Sequence, residues 1–136
     1  MNKQKYKIQQ YYKNKYKNQL LAKKYTNKRN NDVIYKIIDN LSRRACKYLK
    51  KINVKRNMTH IQLIGCSSID LKKYLQSKFL DNMNYSNYGK WEVDHIKPIS
   101  LYDLQYLEQI KECFNYKNLQ PLWRIDNRKK SNKYQL

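Results

Sequence analysis

Glycine and proline are nearly absent, two of each in 136 residues, far below average usage. None of the four precedes Gly65, so helices in the first half meet no strong breaker. Cysteine is scarce and scattered. Cys46, Cys66 and Cys113 stand 20 and 47 residues apart, and without a C-x-x-C pair a structural zinc knuckle is excluded on spacing. An odd number of isolated thiols reads as reduced, intracellular cysteines acting as small buried hydrophobes. No run approaches the roughly 18 consecutive apolar residues of a membrane span. Met1 to Gln10 is basic but leads into no apolar core, so no secretory signal is expected. Acidic residues are few: 10 Asp+Glu against 30 Lys+Arg, a formal charge of +20. A surplus of that size speaks of partners rather than of fold. Nucleic acid leads among them, and an anionic membrane surface is the weaker alternative. Asn, Lys, Ile and Tyr are abundant in the manner of an AT-rich gene, so abundance alone carries no functional argument.

Half of the net charge lies in residues 1–31, from Lys3 to Arg29, with no Asp or Glu before Asp32. Tyr6, Tyr11, Tyr12, Tyr16, Leu20, Leu21 and Tyr25 recur at near-helical spacing. The segment reads as a basic helical or disordered arm that contacts a polyanion, with a solvated tail of biased composition as the alternative. From Asp32 to Lys51, Val33, Ile34, Ile37, Ile38, Leu41, Ala45, Tyr48 and Leu49 form an amphipathic stripe, with Asp32 as the expected N-cap. Ile61–Ile64 is a short apolar run. Ser67 or Ser68 then caps a helix over 68–80 carrying Leu71, Tyr74, Leu75 and Phe79. Residues 81–90 read as loop. Trp91–Ile96 alternates as a strand, with Trp91, Val93 and His95 on one side and Glu92 and Asp94 on the other. A short helix is expected over 103–113, a second strand over 119–123 interrupted by Pro121, and a basic helix over 125–133. Trp91 and Trp123 read as core, and His60 as a structural or exposed histidine.

The last third holds the chemistry. Cutting a phosphodiester requires a divalent ion to neutralise the backbone and the leaving oxygen, and a base to activate water. Asp94 and the side-chain carbonyl of Asn127 are hard oxygen donors. His95 has the side chain best suited to take a proton near neutral pH. Successive strand residues point to opposite faces, so Asp94 and His95 are turned apart. Asn118, at the start of the second strand, is placed to hydrogen-bond the connecting loop or the imidazole. Lys97, Arg124, Arg128, Lys129, Lys130 and Lys133 surround these residues as candidate phosphate contacts, with a solvated basic face as the alternative.

Trp91-Glu92-Val93-Asp94-His95-Ile96-Lys97-Pro98-Ile99-Ser100 resembles the first half of an HNH endonuclease motif. Asn118-Leu119-Gln120-Pro121-Leu122-Trp123, followed by Asp126-Asn127-Arg128-Lys129-Lys130-Ser131, resembles the second. Gly65-Cys66-Ser67 and Asn87-Tyr88-Gly89 are similar to a phage and large-virus type of HNH protein, which extends the resemblance over about residues 33–136. The resemblance implies a ββα-metal fold. It implies Asp94 and Asn127 as ligands of one divalent metal, His95 as general base, and Asn118 as brace of the loop and the base. The sequence departs from the motif's name where Asn127 stands in place of a histidine. Active members also use asparagine there, and its oxygen favours magnesium or manganese over a softer ion. The zinc-binding cysteine pairs of many HNH proteins are missing.

The expected protein is α+β: a mainly helical N-terminal part followed by a small ββα-metal motif. Residues 1–31 form the arm. Residues 32–136 form a nuclease domain with helices 32–51 and 68–80 and a ββα core over 90–133. The expected function is metal-dependent hydrolysis of DNA by His95, Asn118, Asp94 and Asn127, with Mg2+ or Mn2+ and no structural zinc. The alternative is a non-catalytic basic nucleic-acid-binding protein with a degenerate motif. DNA is the expected partner and no membrane is. A homodimer would make paired cuts. The expected location is intracellular, in cytoplasm, nucleoid or nucleus, without secretion.

Overall fold

The structure, a computed structural model, describes residues 3–134. Met1 and Asn2 of the expected arm, and Gln135 and Leu136 of the expected nuclease domain, lie outside the described residues. The chain is mixed α+β and mostly helical, with a single two-stranded antiparallel sheet among the described residues. It divides into two units at Asp32/Val33.

The first unit is one helix, α1 (Lys3–Asn31), of 29 residues, about 43 Å long at 1.5 Å per residue. None of its residues is buried. At about 100° per residue its tyrosines and leucines fall around the whole circumference, interleaved with lysines, so no apolar stripe forms. Tyr6, Tyr12, Tyr16, Leu20, Leu21 and Tyr25 are all exposed.

In the second unit, α2 (Val33–Lys51) does the opposite. Ile34, Ile37, Leu41, Ala45 and Leu49 repeat at three- and four-residue steps and are buried. The helix serves two apolar clusters. Ile34, Ile37 and Leu41 pack with Ile64, Leu71, Leu75, Met83, Trp91, Val93 and Leu119. Ala45 and Leu49 pack with Leu63, Leu104, Ile110, Cys113 and Phe114. Lys50 and Lys51 close the last turn, where cations suit the helix dipole.

The apolar run at 61–64 lies in a short helix, α3 (His60–Ile64). Thr59 and Gln62 form a reciprocal capping box, and Gly65 ends the helix at φ 79°. Ser67 then caps α4 (Ser68–Ser77), its hydroxyl accepting from the Asp70 N–H at 3.1 Å. This helix stops three residues before the expected end. Phe79 lies beyond it and packs edge-on against Trp91, with ring centroids 5.0 Å apart. Between 81 and 90 a 3-10 turn at Tyr85–Asn87 brings Tyr85 and Tyr88 onto the same indole.

The sheet pairs β1 (Trp91–His95) with β2 (Leu119–Trp123), in the register Trp91↔Trp123, Val93↔Pro121 and His95↔Leu119. Pro121 does not interrupt β2, because a two-stranded ladder leaves positions whose N–H is not needed. Between the strands, α5 (Leu107–Phe114) starts four residues later than the expected helix. Asp103 holds a turn there instead, accepting from the Gln105 N–H at 3.1 Å. The last helix, α6 (Arg124–Lys130), packs on both strands and ends before the expected Lys133, at Ser131 with φ 49°.

Gly65 is the position where a side chain is least tolerated. Its φ is left-handed, and an added Cβ would come within 2.6 Å of the Asn115 amide nitrogen. The substitution Gly65→Ala should cost about 1–2 kcal/mol and lower the thermal midpoint by several degrees. A melting curve that coincides with wild type would show that this helix end does not need glycine.

Candidate functional site

The pleat of β1 sorts its side chains into two environments. Trp91, Val93 and His95 are buried on the core side, whereas Glu92 and Asp94 are half-buried on the other. That second face meets α6. Arg124, Asn127 and Lys130 lie three residues apart and so line one side of the helix. Arg124 Nε lies 3.1 Å from Glu92 Oε1. The Asn127 amide NH2 donates to Glu92 Oε2 at 2.9 Å. Lys130 Nζ lies 2.8 Å from Asp94 Oδ2 and donates to the His95 carbonyl at 2.8 Å. Gln120, opposite Asp94 in the ladder, donates to the same Oδ2 at 3.1 Å. No residue of α6 is buried. The helix is therefore docked by a seam of carboxylates and donors rather than by apolar packing.

His95 faces away from this seam. It is 3% exposed, with its ring edge-on to Phe114 at 5.2 Å. Arg44 of α2 places Nη1 3.5 Å from Nδ1 and donates to the Val93 carbonyl at 3.4 Å. A guanidinium can only donate, so Nδ1 is the acceptor and the imidazole proton sits on Nε2. That nitrogen is buried without a hydrogen-bond partner among the described residues. Burial, then the charges of Arg44 and Lys130, hold the imidazole down to about 3 from its ordinary 6.5. It is neutral at physiological pH.

Asn118 clamps the chain where it leaves β1. Its Oδ1 accepts from the Lys97 N–H at 2.9 Å, while its NH2 donates to the carbonyls of Lys97 at 3.2 Å and Cys113 at 2.9 Å. The Asn118 carbonyl accepts from the Ile96 N–H at 2.8 Å. These bonds brace the loop.

The basic candidates do not form one free surface. Arg124 and Lys130 are engaged in the seam. Lys97 stands 4.1 Å over the Tyr102 ring and 3.9 Å from Glu112. Lys129 lies 4.0 Å from Asp126. Arg128 is exposed. Lys129, Lys130 and Lys133 line a cleft of about 490 Å³ with Ile96, Gln120, Leu122 and Asp126. Its lining includes both donors to Asp94, so the cleft adjoins that carboxylate. Glu92, Gln120 and Arg44 join the site without standing among its expected ligands, base, brace or phosphate contacts. The strand period places Glu92 beside Asp94 on one face, and the ladder register gives Gln120. No local pattern marks Arg44.

The seam supplies oxygen donors of the kind a hard divalent ion takes: the Asp94 and Glu92 carboxylates, and an Asn127 amide whose NH2 is already committed, leaving its oxygen to accept. The residues fit such an ion in kind, with the Lys130 ammonium as its competitor for Asp94 Oδ2. Among the described residues there is no group of three His, Cys, Asp or Glu side chains that could hold a metal. Nor is any described helix long and apolar enough to cross a membrane.

Two uncharacterized proteins of Acanthamoeba polyphaga mimivirus are similar to this chain. One is 38% identical over 96 residues, covering 70% of the chain and 41% of the relative. The other is 31% identical over 103 residues, covering 75% and 44%. The chain thus spans less than half the length of the curated relatives it matches. No family model and no solved structure matches it.

Removing the clamp should loosen the loop before it unfolds the domain. In Asn118→Ala the Lys97 N–H and two carbonyls lose their partners, at a cost of about 1–3 kcal/mol. Hydrogen exchange should show faster exchange at Lys97 while the amides of Ile37 and Leu41 stay protected. Uniformly faster exchange would mean that Asn118 supports the whole unit rather than the loop.

Proposed function

We propose that this protein is a metal-dependent DNA endonuclease of the HNH type, built on a ββα-metal arrangement of β1, β2 and α6. The observation that carries the reading is the pairing of two chemistries on successive residues of β1. Asp94 faces a seam of oxygen donors beside a basic cleft, and the imidazole of His95 is turned the other way. A magnesium or manganese ion held by Asp94 and the Asn127 oxygen would neutralise the phosphodiester and its leaving oxygen. Glu92 orients Asn127 by taking its NH2. His95 would be the general base once the burial and the Arg44 charge that hold its imidazole down are relieved, since an imidazole held at about 3 is too weak to take a proton at neutral pH. To act, it must present a free lone pair, by Arg44 releasing Nδ1 or by the ring turning. Asn118 fixes the backbone that carries His95 into the loop. Arg128, Lys129 and Lys133 offer charge to neighbouring phosphates, and α1 adds ten more cations from Lys3 to Arg29.

A second reading, a non-catalytic nucleic-acid-binding protein, is favoured by one observation: His95 is only 3% exposed and faces the core. Plasmid relaxation separates the two. Wild type with magnesium or manganese should nick, and EDTA should stop it. His95→Ala and Asp94→Asn should lose at least about 100-fold in rate while still shifting DNA on a gel. RNA digested alongside tests the substrate. Intact plasmid in every lane, with a normal gel shift, would establish the binding module.

The charge distribution makes a separate prediction. If about six phosphates are engaged, affinity should fall about 10³-fold between 50 and 200 mM salt. Replacing Lys13, Lys15, Lys17 and Lys23 with Gln should flatten that dependence. A slope that the four substitutions leave unchanged would remove α1 from the interface.

A further inference from the structure

Lys130 has a position that a surface phosphate contact does not explain. Its side chain is 19% exposed, and that of Asp94 is 14% exposed. Nζ sits between Asp94 Oδ2 and the His95 carbonyl, 2.8 Å from each. Asp94 is thus a partly buried carboxylate that already holds a cation, as such a group requires.

We infer that Lys130 is a tethered counterion that occupies the metal position at Asp94 and is exchanged for a divalent ion, its ammonium then moving to a phosphate of the substrate. The inference rests on the nuclease reading and adds to it the order and coupling of binding. An oxygen ligand of magnesium lies about 2.0–2.1 Å from the ion. An ammonium 2.8 Å from the same carboxylate oxygen would face a like charge at close range, in a site that water screens poorly. Lys130 is able to leave. Its charge ends a flexible four-carbon stem, on the last residue of α6. The cleft it lines, with Lys129 and Lys133, gives the ammonium somewhere to go. A phosphate oxygen in that cleft would accept a charge-assisted hydrogen bond from it. Metal and polyanion then reinforce each other, because each relieves the contact that the other displaces, and the coupling is reciprocal.

Manganese titration followed by electron paramagnetic resonance of the free ion tests this without cleavage. Lys130→Met and Lys130→Gln should bind Mn2+ more tightly than wild type, on the order of tenfold. Lys133→Gln removes the same charge from the same cleft without touching Asp94, and should change affinity by no more than about twofold, as expected for a screened charge. A non-hydrolysable phosphorothioate duplex should tighten Mn2+ binding to wild type, and do so less in the Lys130 variants. Without metal, Lys130→Met should melt below wild type, with Mn2+ closing the gap. If Lys130→Met fails to fold, Lys130→Gln carries the test, since its amide still donates to Asp94 without the charge. Equal or weaker Mn2+ binding in the Lys130 variants, or an equal gain in Lys133→Gln, overturns the counterion role and leaves the nuclease reading standing. Wild type and variants that all ignore Mn2+ overturn both.

Discussion

The docking of α6 on the sheet depends on the polar seam between β1 and α6. Apolar packing would dock a seven-residue helix more firmly, since burying a leucine contributes about 1.5–3 kcal/mol and a half-exposed pair such as Arg124–Glu92 contributes little. Yet α6 buries none of its residues. Arg124, Asn127 and Lys130 instead meet Glu92 and Asp94. The consequence is chemical. A seam of carboxylates and amides keeps oxygen donors and paired cations between strand and helix, where an apolar seam would place none.

Such a seam needs a rigid floor, and the rest of the second unit supplies it. The register of β1 is fixed from the core side, where Trp91 is fully buried. Its indole N–H donates to the Asn84 carbonyl at 2.8 Å and to Asn87 Oδ1 at 3.0 Å. A one-residue slip would bring Asp94 inward and turn His95 out, which the buried indole resists. The α2 stripe ties the cluster under Trp91 to the cluster around Phe114, so the two strands and α5 share one support. Domains much smaller than this unit often rely on a metal or disulfides for stability. Here no C-x-x-C pair exists, and the three described cysteines are free. Helical packing takes over that task.

The sequence was legible where a period ran long enough to be unambiguous. The alternation of β1 and the stripe of α2 lie where the pattern puts them, apart from Tyr48, which is exposed, and of the two expected caps Ser67 is the one used. The run at 61–64 is too short for its period to separate helix from strand, and the Thr59–Gln62 capping box is the signal that decides it. At 103–106 apolar spacing suggests helix, but the Asp103 side chain satisfies the backbone in a turn, the usual competition between short polar side chains and helix. Within the site, Asn118 was expected at the start of the second strand with the loop or the imidazole as its partner; it ends the 3-10 turn just before β2 and bonds the loop at Lys97. Lys130 was readable only as one more cation in a basic helix. Its engagement with Asp94 depends on the crossing of α6 over the sheet, which no local pattern encodes. Arg44, brought to His95 from 51 residues away, is hidden for the same reason.

The two faces of β1 solve opposite problems with a single pleat. A carboxylate that is to exchange cations must stay near water, because a fully buried charge would cost several kcal/mol and hold its counterion permanently. Asp94, at 14% side-chain exposure, is partly withdrawn from solvent, and its cation is a lysine side chain that is 19% exposed. An imidazole that is to remain neutral gains from the reverse, burial beside a guanidinium, and His95 has both. Placing the two groups one residue apart on a strand gives each its own dielectric environment while keeping them a fixed distance from each other. The Lys130 bond to the His95 carbonyl lies between them. The same ammonium therefore bridges the carboxylate of one residue and the backbone of the next, while His95 itself stays paired with Leu119 in the ladder.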